Sequence, residues 1–352
     1  MSTYLRYLLL PFSLLYALII MIRNKLFDVG FLKSASFDLP VICIGNLAIG
    51  GSGKTPVTEY LVKLLEGKRV AILSRGYGRD TKGYLQANQS STANSIGDEP
   101  LQYFHKFPQV TVAVCEDRKT GINILKIDHD VILLDDAFQH RRVLAGLNIL
   151  LFEFSKFSRP QLLLPAGNLR EPFIGFKRSD LILITKCPLQ LDENERDNIR
   201  NKFSSAPEIP LLFSYINYQQ LRSAYSPLNL VPTLTDQTRI HLLTGIANPK
   251  PLVDYVNQHS KDIIHYEYPD HHPFSLRNIA NLVDDFRNDP AIHKIIVTTE
   301  KDAMRLLDAS IKELLLDLPI FYLPIQIVIE ESGRQIFDQK ILNYVSSTTR
   351  NC

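Results

Sequence analysis

The chain has 352 residues, of which 45% are hydrophobic and 22% charged, and a formal net charge of +2. That is enough apolar material for two folded domains, and a balanced charge with no acidic or basic tail gives no electrostatic footprint for nucleic acid. Four scattered cysteines, Cys43, Cys115, Cys187 and Cys352, form no CxxC pair, which argues against a disulfide framework or a zinc site and fits a reducing cytoplasm.

The first element is apolar. Residues 4–22 are dominated by Leu, Ile, Tyr and Phe, and Arg23, Asn24 and Lys25 follow directly. No small-residue cleavage site comes after the apolar stretch, so it does not read as a signal peptide. The expectation is an N-terminal helix within residues 1–33 that attaches to a membrane, spanning it or lying in its interface, with the basic residues favouring a cytoplasmic location for the rest of the chain. Burial of the helix against the protein is the plainer alternative.

Short runs rich in Val, Ile and Leu follow at 41–44, 70–73, 111–114, 131–134, 147–152 and 181–185, without clean alternation. Strands buried on both faces read this way. Helical stretches at 57–66 and 118–125 lie between them. The spacing predicts a P-loop-type, doubly wound, mostly parallel α/β/α sheet, with ligands bound beyond the carboxyl ends of its strands. Residues 204–232, rich in Ser, Pro, Asn, Tyr and Gln, carry weak signals and read as a joining region. A second, smaller α/β domain is expected beyond it, with strands at 240–244, 263–268, 294–298 and 320–329 and helices at 250–258 and 276–286. The chain thus divides into an N-terminal helix at 1–33, a P-loop domain at 34–210 and a C-terminal domain, joining region included, at 211–352.

The first strand runs into Gly45-Asn46-Leu47-Ala48-Ile49-Gly50-Gly51-Ser52-Gly53-Lys54-Thr55. Residues 48–55 match G-x-x-x-x-G-K-[ST] except that Ala48 holds the first position, and the strand–loop–helix setting is the right one. Glycines let backbone N–H groups approach phosphate oxygens, and the helix start adds positive partial charge. Lys54 is expected to reach the β- and γ-phosphates of a nucleoside triphosphate and Thr55 to coordinate Mg²⁺. The strand at 131–134 ends in Asp135-Asp136, which places carboxylate oxygens where Mg²⁺ needs them. Further polar clusters follow apolar strands. Ser74-Arg75-Gly76-Tyr77-Gly78-Arg79 suits close approach to phosphate. Gly97-Asp98-Glu99-Pro100 suits a helix start or a catalytic carboxylate. Leu164-Pro165-Ala166-Gly167-Asn168-Leu169-Arg170-Glu171-Pro172 reads on its own as a plain connection. Asp270-His271-His272-Pro273 suits an Asp–His pairing better than a metal. Thr299-Glu300-Lys301-Asp302 reads as a helix cap or a nucleotide contact. These residues alone fit a phosphotransferase, a nucleotide-hydrolysing switch or a membrane-bound nucleotide-binding scaffold.

Taken in order, the phosphate loop with Pro56, the clusters at 74–78, 97–100, 164–172 and 299–302, and Asp135-Asp136-Ala137-Phe138-Gln139-His140 resemble the tetraacyldisaccharide 4′-kinases of lipid A biosynthesis in Gram-negative bacteria. Ala137 stands where that family is expected to have glycine. The resemblance implies transfer of phosphate from ATP to the 4′-hydroxyl of a tetraacylated glucosamine disaccharide 1-phosphate. It also implies two α/β/α domains with the site in the cleft between them, on the cytoplasmic face of the inner membrane. It assigns Asp98 as catalytic base and His271 as its partner, with His272 adjacent. Arg170 becomes the candidate for stabilising the transferring phosphoryl group. Thr55, Asp135, Asp136, Gln139 and Glu171 become candidate Mg²⁺ contacts, direct or through water. Arg75 and Arg118 are candidates for the substrate's 1-phosphate, and Tyr77, Glu99, His140 and Asn168 for further phosphate or substrate contacts.

Overall fold

Two parallel sheets organise the chain in the computed structural model, which describes residues 6–158, 160–225 and 234–348. The first sheet begins with β1 (Val41–Asn46), β2 (Val70–Ser74), β3 (Leu85–Gln86), β4 (Thr111–Val114), β5 (Val131–Asp135), β6 (Leu147–Glu153), β7 (Leu181–Thr185) and β8 (Leu211–Tyr218). The second holds β9 (Arg222–Ser223), β10 (Arg239–Thr244), β11 (Ile263–Glu267), β12 (Lys294–Thr299) and β13 (Ile320–Leu323). A last strand, β14 (Ile325–Ile329), returns to the first sheet. The strand orders are β14-β8-β7-β6-β1-β5-β2-β4-β3 and β11-β10-β12-β13-β9. Pairing is antiparallel only at β14–β8, β3–β4 and β9–β13.

The apolar runs became central strands because both faces are covered. Val41 and Cys43 of β1 enter the core on one side, while Ile42 and Ile44 enter the core on the other. Helix α1 (Leu10–Asp28) precedes the sheet. Helix α2 (Lys54–Leu64) buries Val57 and Leu61 on one face of the sheet, and helix α4 (Arg118–Leu125) buries Ile122 and Leu125 on the other. Between them lies helix α3 (Asp98–Lys106).

Two expectations change here. The weak stretch at 204–232 contains β8, a full strand of the first sheet whose pattern was hidden by its polar residues; buried Ser214 satisfies its hydroxyl by donating to the Ile184 carbonyl at 3.0 Å. Residues 226–233 of that stretch lie outside the described residues. The run at 320–329 is two strands, not one. Pro324, which has no N–H to donate, separates β13 in the second sheet from β14 in the first. The C-terminal helix, Glu331–Thr348, then packs Phe337, Ile341 and Val345 into the core of the first domain. A boundary at residue 210 therefore cuts through the first sheet; residues 211–218 and 325–348 belong with it.

Helix α1 is not buried. Phe12, Leu14, Leu15, Leu18, Ile19, Met21 and Ile22 are all exposed, and among the described residues this is the one helix long and apolar enough to cross a membrane. Its polar side chains nevertheless bind the protein along its length. Ser13 accepts from the Ala166 N–H at 2.9 Å and donates to the Leu163 carbonyl at 3.0 Å. Tyr16 donates to the Arg170 carbonyl at 2.8 Å, Arg23 to the Gln139 carbonyl at 2.6 Å, and Asn24 to Glu171 at 3.3 Å.

Candidate active site

The phosphate loop occupies the turn between β1 and α2. Gly50 and Gly53 take φ values of +102° and +82°, a region that side chains strain to adopt. Gly45 lies so close to the Asp135–His140 turn that a Cβ there would come within 2.6 Å of the Phe138 Cβ. The stretch at 164–172, which reads as a plain connection, backs the loop: the Ile49 N–H donates to the Asn168 carbonyl at 2.8 Å and the Arg170 N–H to the Leu47 carbonyl at 2.7 Å.

β5 is hydrogen-bonded beside β1, so its terminal carboxylates arrive next to Lys54. Asp136, with φ at +51°, lies 3.7 Å from the Lys54 ammonium and accepts from Arg170 at 3.0 Å on each oxygen. Burial opposes its charge, but Lys54 and Arg170 outweigh burial and hold its pKa below the ordinary carboxylate value. Asp135 is only 4% exposed, and its Oδ1 has no hydrogen-bond partner. Burial pushes its pKa up to about 7, against the pull of Lys54. Gln139 donates to Glu171 at 2.9 Å and to the Asn46 carbonyl at 2.7 Å, and Glu171 also accepts from Arg178 and Asn24. Ala137 has no positive φ, since the left-handed residue of this turn is Asp136, so alanine fits where glycine was expected.

Among the described residues no three His, Cys, Asp or Glu side chains converge as a metal cage. Mg²⁺ in nucleotide sites needs only one or two carboxylates plus phosphate and water oxygens. Asp135 offers one buried oxygen that no hydrogen bond occupies. Glu171, through its bonds to Gln139, Arg178 and Asn24, holds Gln139 in place.

The raised pKa of Asp135 has a consequence for stability. An unfolded-chain aspartate loses its proton near about 3.9, whereas Asp135 keeps its proton up to about 7. The fold binds the extra proton between those values and loses stability as pH rises through them. Glu59, also raised to about 7 by burial, adds to the same trend. Asp135→Asn should therefore raise the melting temperature of the nucleotide-free protein by a few degrees at pH 8, with the gain shrinking as pH falls below about 7 and vanishing near about pH 4. A gain that does not depend on pH would contradict the assignment.

Asp98 opens helix α3 after Gly97, whose φ is +94°. A Cβ on Gly97 would meet the Tyr77 carbonyl at 3.1 Å, so the clusters at 74–78 and 97–100 pack directly together. Three donors from the second domain converge on Asp98 Oδ2: His271 Nδ1 at 3.0 Å, Arg305 Nε at 2.9 Å and Arg305 Nη2 at 2.6 Å. Burial alone would raise the Asp98 pKa; the bonds from His271 and Arg305 reverse this and hold it at about 2. The Lys301 ammonium donates to His271 Nε2 at 3.0 Å, so the ring proton sits on Nδ1 and points at Asp98. Lys301 also pairs with Glu99 at 2.8 Å. His272 instead stacks on Tyr268 and bonds Asn278, so His271 is the histidine that meets Asp98.

Arg305 was not singled out in the sequence. It lies on a short helix, Glu300–Leu306, where Thr299 caps the N-terminus by accepting from the Asp302 N–H and Asp302 in turn holds Arg305 at 2.7 Å. The cap at 299–302 is the only local signal, and it says nothing about where the next arginine points. Arg305→Met should move the acid limb of the activity profile upward by at least about one pH unit, because Asp98 then keeps burial but loses its main counter-charge. An unmoved limb would show that Arg305 does not set the Asp98 charge.

The remaining candidates separate by location. Arg75 and Tyr77 are exposed, and the Tyr77 ring lies 5.4 Å from that of His271. Arg118, a candidate for the substrate's 1-phosphate, is only 3% exposed and donates to the Cys115 and Glu116 carbonyls, with its Nε left unpartnered. Its charge is felt by Asp135 and Asp136. His140 is kept neutral, its pKa pushed down to about 4 by burial and then by Arg118. Cys43, Cys115 and Cys187 are buried free thiols, and Cys352 lies outside the described residues.

A phosphate loop, a carboxylate pair at the neighbouring strand end, with Asp135 buried and Asp136 half-buried, and an ionised aspartate braced from a second domain define a P-loop phosphotransferase. Known proteins give the particular family. The profile of the tetraacyldisaccharide-1-P 4′-kinases matches residues 5–344, and the chain belongs to that family. The tetraacyldisaccharide 4′-kinase of Bacteroides thetaiotaomicron is 44% identical, covering 97% of this chain and 94% of its own. That of Flavobacterium psychrophilum is 42% identical, covering 99% of each. A crystal structure of the Aquifex aeolicus enzyme of this family in complex with ATP superposes with a TM-score of 0.72 at 31% identity, covering 97% of this chain and 99% of that one.

Proposed function

We propose that this chain transfers the γ-phosphate of ATP to the 4′-hydroxyl of a tetraacyldisaccharide 1-phosphate, with Asp98 as the base. The observation that carries the assignment of the base is the convergence of His271 and Arg305 on a single oxygen of Asp98. That convergence keeps the carboxylate ionised at neutral pH and leaves Oδ1 outside the network, available to the sugar hydroxyl. Helix α3 is fixed to the phosphate-loop helix, since Gln102 and Lys106 bond Glu59 at 2.9 and 2.8 Å. The same two side chains bond Glu300 of the second domain at 3.2 and 2.8 Å, so the base is positioned by both domains.

The 4′-hydroxyl donates its proton to Asp98 as its oxygen bonds to the γ-phosphorus, while the bond from that phosphorus to the β–γ bridging oxygen breaks and ADP leaves. Lys54 and Arg170 offset the charge on the transferring group. Thr55, Asp135 and Asp136 would hold Mg²⁺, which when bound neutralises charge on the β- and γ-phosphates. The exposed apolar side of helix α1 rests on the cytoplasmic face of the inner membrane, where the acyl chains of the substrate lie. Its polar side stays bound to the protein from Ser13 to Asn24, which favours a helix lying in the interface over one crossing the bilayer.

Incubation with γ-labelled ATP and tetraacyldisaccharide 1-phosphate in detergent micelles should move label into the lipid. Nucleotide hydrolysis that leaves the lipid unlabelled would contradict the proposal and favour a hydrolysing switch.

A further inference from the structure

Three residues other than glycine have positive φ among the described residues: Asp136 at +51°, His271 at +57° and Lys186 at +56°. A left-handed side-chain residue is strained and persists where the surroundings fix it, most often at functional sites. The first two belong to the site already described. Lys186 has no role in it so far.

Lys186 directly follows β7, at the carboxyl end of the sheet, two strands from the phosphate loop in the order β7-β6-β1. Its ammonium donates to the carbonyl of Gly51, inside the phosphate loop. Its neighbour Thr185, fully buried, donates its hydroxyl to the next carbonyl of that loop, Ser52, at 2.8 Å. Two consecutive residues thus tie down two consecutive loop carbonyls. Glu153, at the end of β6, lies 3.9 Å from the Lys186 ammonium and offsets its charge.

A phosphate cradle works only if its N–H groups face the anion. A carbonyl that turned inward would meet phosphate oxygens and repel them. The Gly50-Gly51-Ser52-Gly53 run is flexible by composition, and Gly50 is exposed to solvent with no atom near its missing Cβ. Within the run the Ser52 N–H bonds the Gly50 carbonyl at 3.0 Å, and the Val57 N–H bonds the Gly53 carbonyl at 3.3 Å; the two carbonyls between them, of Gly51 and Ser52, are held by Lys186 and Thr185 at the end of β7. Lys54 is close enough for its charge to bear on Lys186, so a bound polyphosphate would also relieve the repulsion between the two ammonium groups.

We propose that Lys186 is a positioning residue for ATP, which with Thr185 pins the phosphate-loop carbonyls outward so that the loop meets the triphosphate with its N–H groups. The inference rests on ATP as the ligand and not on the identity of the acceptor. The left-handed backbone brings a side chain from the end of β7 onto the loop, and a lysine supplies both the reach and the charge.

The test is ATP binding by calorimetry, set beside lipid kinase kinetics and thermal melting, for the full chain and for Lys186→Met and Lys186→Arg. Lys186→Met keeps the length of the stem and removes the ammonium. It should weaken ATP binding and raise the KM for ATP by about tenfold or more, the scale of one lost charged hydrogen bond, and leave the KM for lipid and the melting temperature near those of the parent. Lys186→Arg should recover most of the affinity. ATP affinity within twofold of the parent in Lys186→Met would overturn the proposal. So would an equal rise in both KM values with a fall in melting temperature, since that is the pattern of a general structural defect. Because calorimetry needs no lipid, loss of the lipid-kinase reading would leave this result intact.

Discussion

Asp98→Asn should lower kcat by roughly a hundred- to ten-thousandfold, the usual range for losing a general base, while ATP affinity stays close to that of the parent. The substitution keeps the size of the side chain and removes the charge that accepts the hydroxyl proton. Asp98 touches His271 and Arg305 and none of the phosphate-loop residues, which is why nucleotide binding should survive. The amide leaves Arg305 without its carboxylate, but Arg305 still donates to Asp302 at 2.7 Å and to the Gly245 carbonyl at 3.0 Å, so the helix that carries it keeps its anchors. Comparable losses of kcat and ATP affinity would place Asp98 in nucleotide binding and remove it as the base.

Lys54→Ala should damage both halves of the reaction. The ammonium lies 3.7 Å from Asp136, and the Lys54 charge also pulls the Asp135 pKa down. Its removal takes away a charge aimed at the β- and γ-phosphates and leaves two adjacent carboxylates with less compensation. A fall in kcat of roughly a hundred- to a thousandfold is expected, the scale of losing one preorganised transition-state donor, together with weaker ATP binding. Unlike Asp98→Asn, this variant should lose the nucleotide affinity that calorimetry reads. Retained affinity with lost turnover would assign Lys54 to the transition state alone.

The parallel core of the first domain was legible because strands buried on both faces are apolar without interruption, as β5 and β7 are. The phosphate loop was legible because its glycines and lysine follow such a strand. β8 was missed because it carries Ser214, Tyr215, Asn217 and Tyr218, which read as a loop, while its place is set by pairing with β7 on one side and β14 on the other. The split between β13 and β14 hinged on Pro324, a breaker whose effect depends on which sheet each half can reach. In the site, Asp98 and His271 came from the order of motifs, and the structure places them in contact. Arg305 and Lys186 were not legible, since each is defined by what it touches 60 to 207 and 135 positions away. Arg118 was a candidate for the substrate's 1-phosphate, but it is 3% exposed, a burial set by the elements packed over it.

The central claim is that a nucleotide phosphate moves to the 4′-oxygen of the lipid through Asp98. Phosphorus NMR of the lipid product after reaction with ATP tests it most directly. One new phosphomonoester at the 4′ position is predicted, beside an unchanged 1-phosphate, formed by the parent enzyme and lost in Asp98→Asn. A diphosphate at position 1, or inorganic phosphate alone, would contradict it.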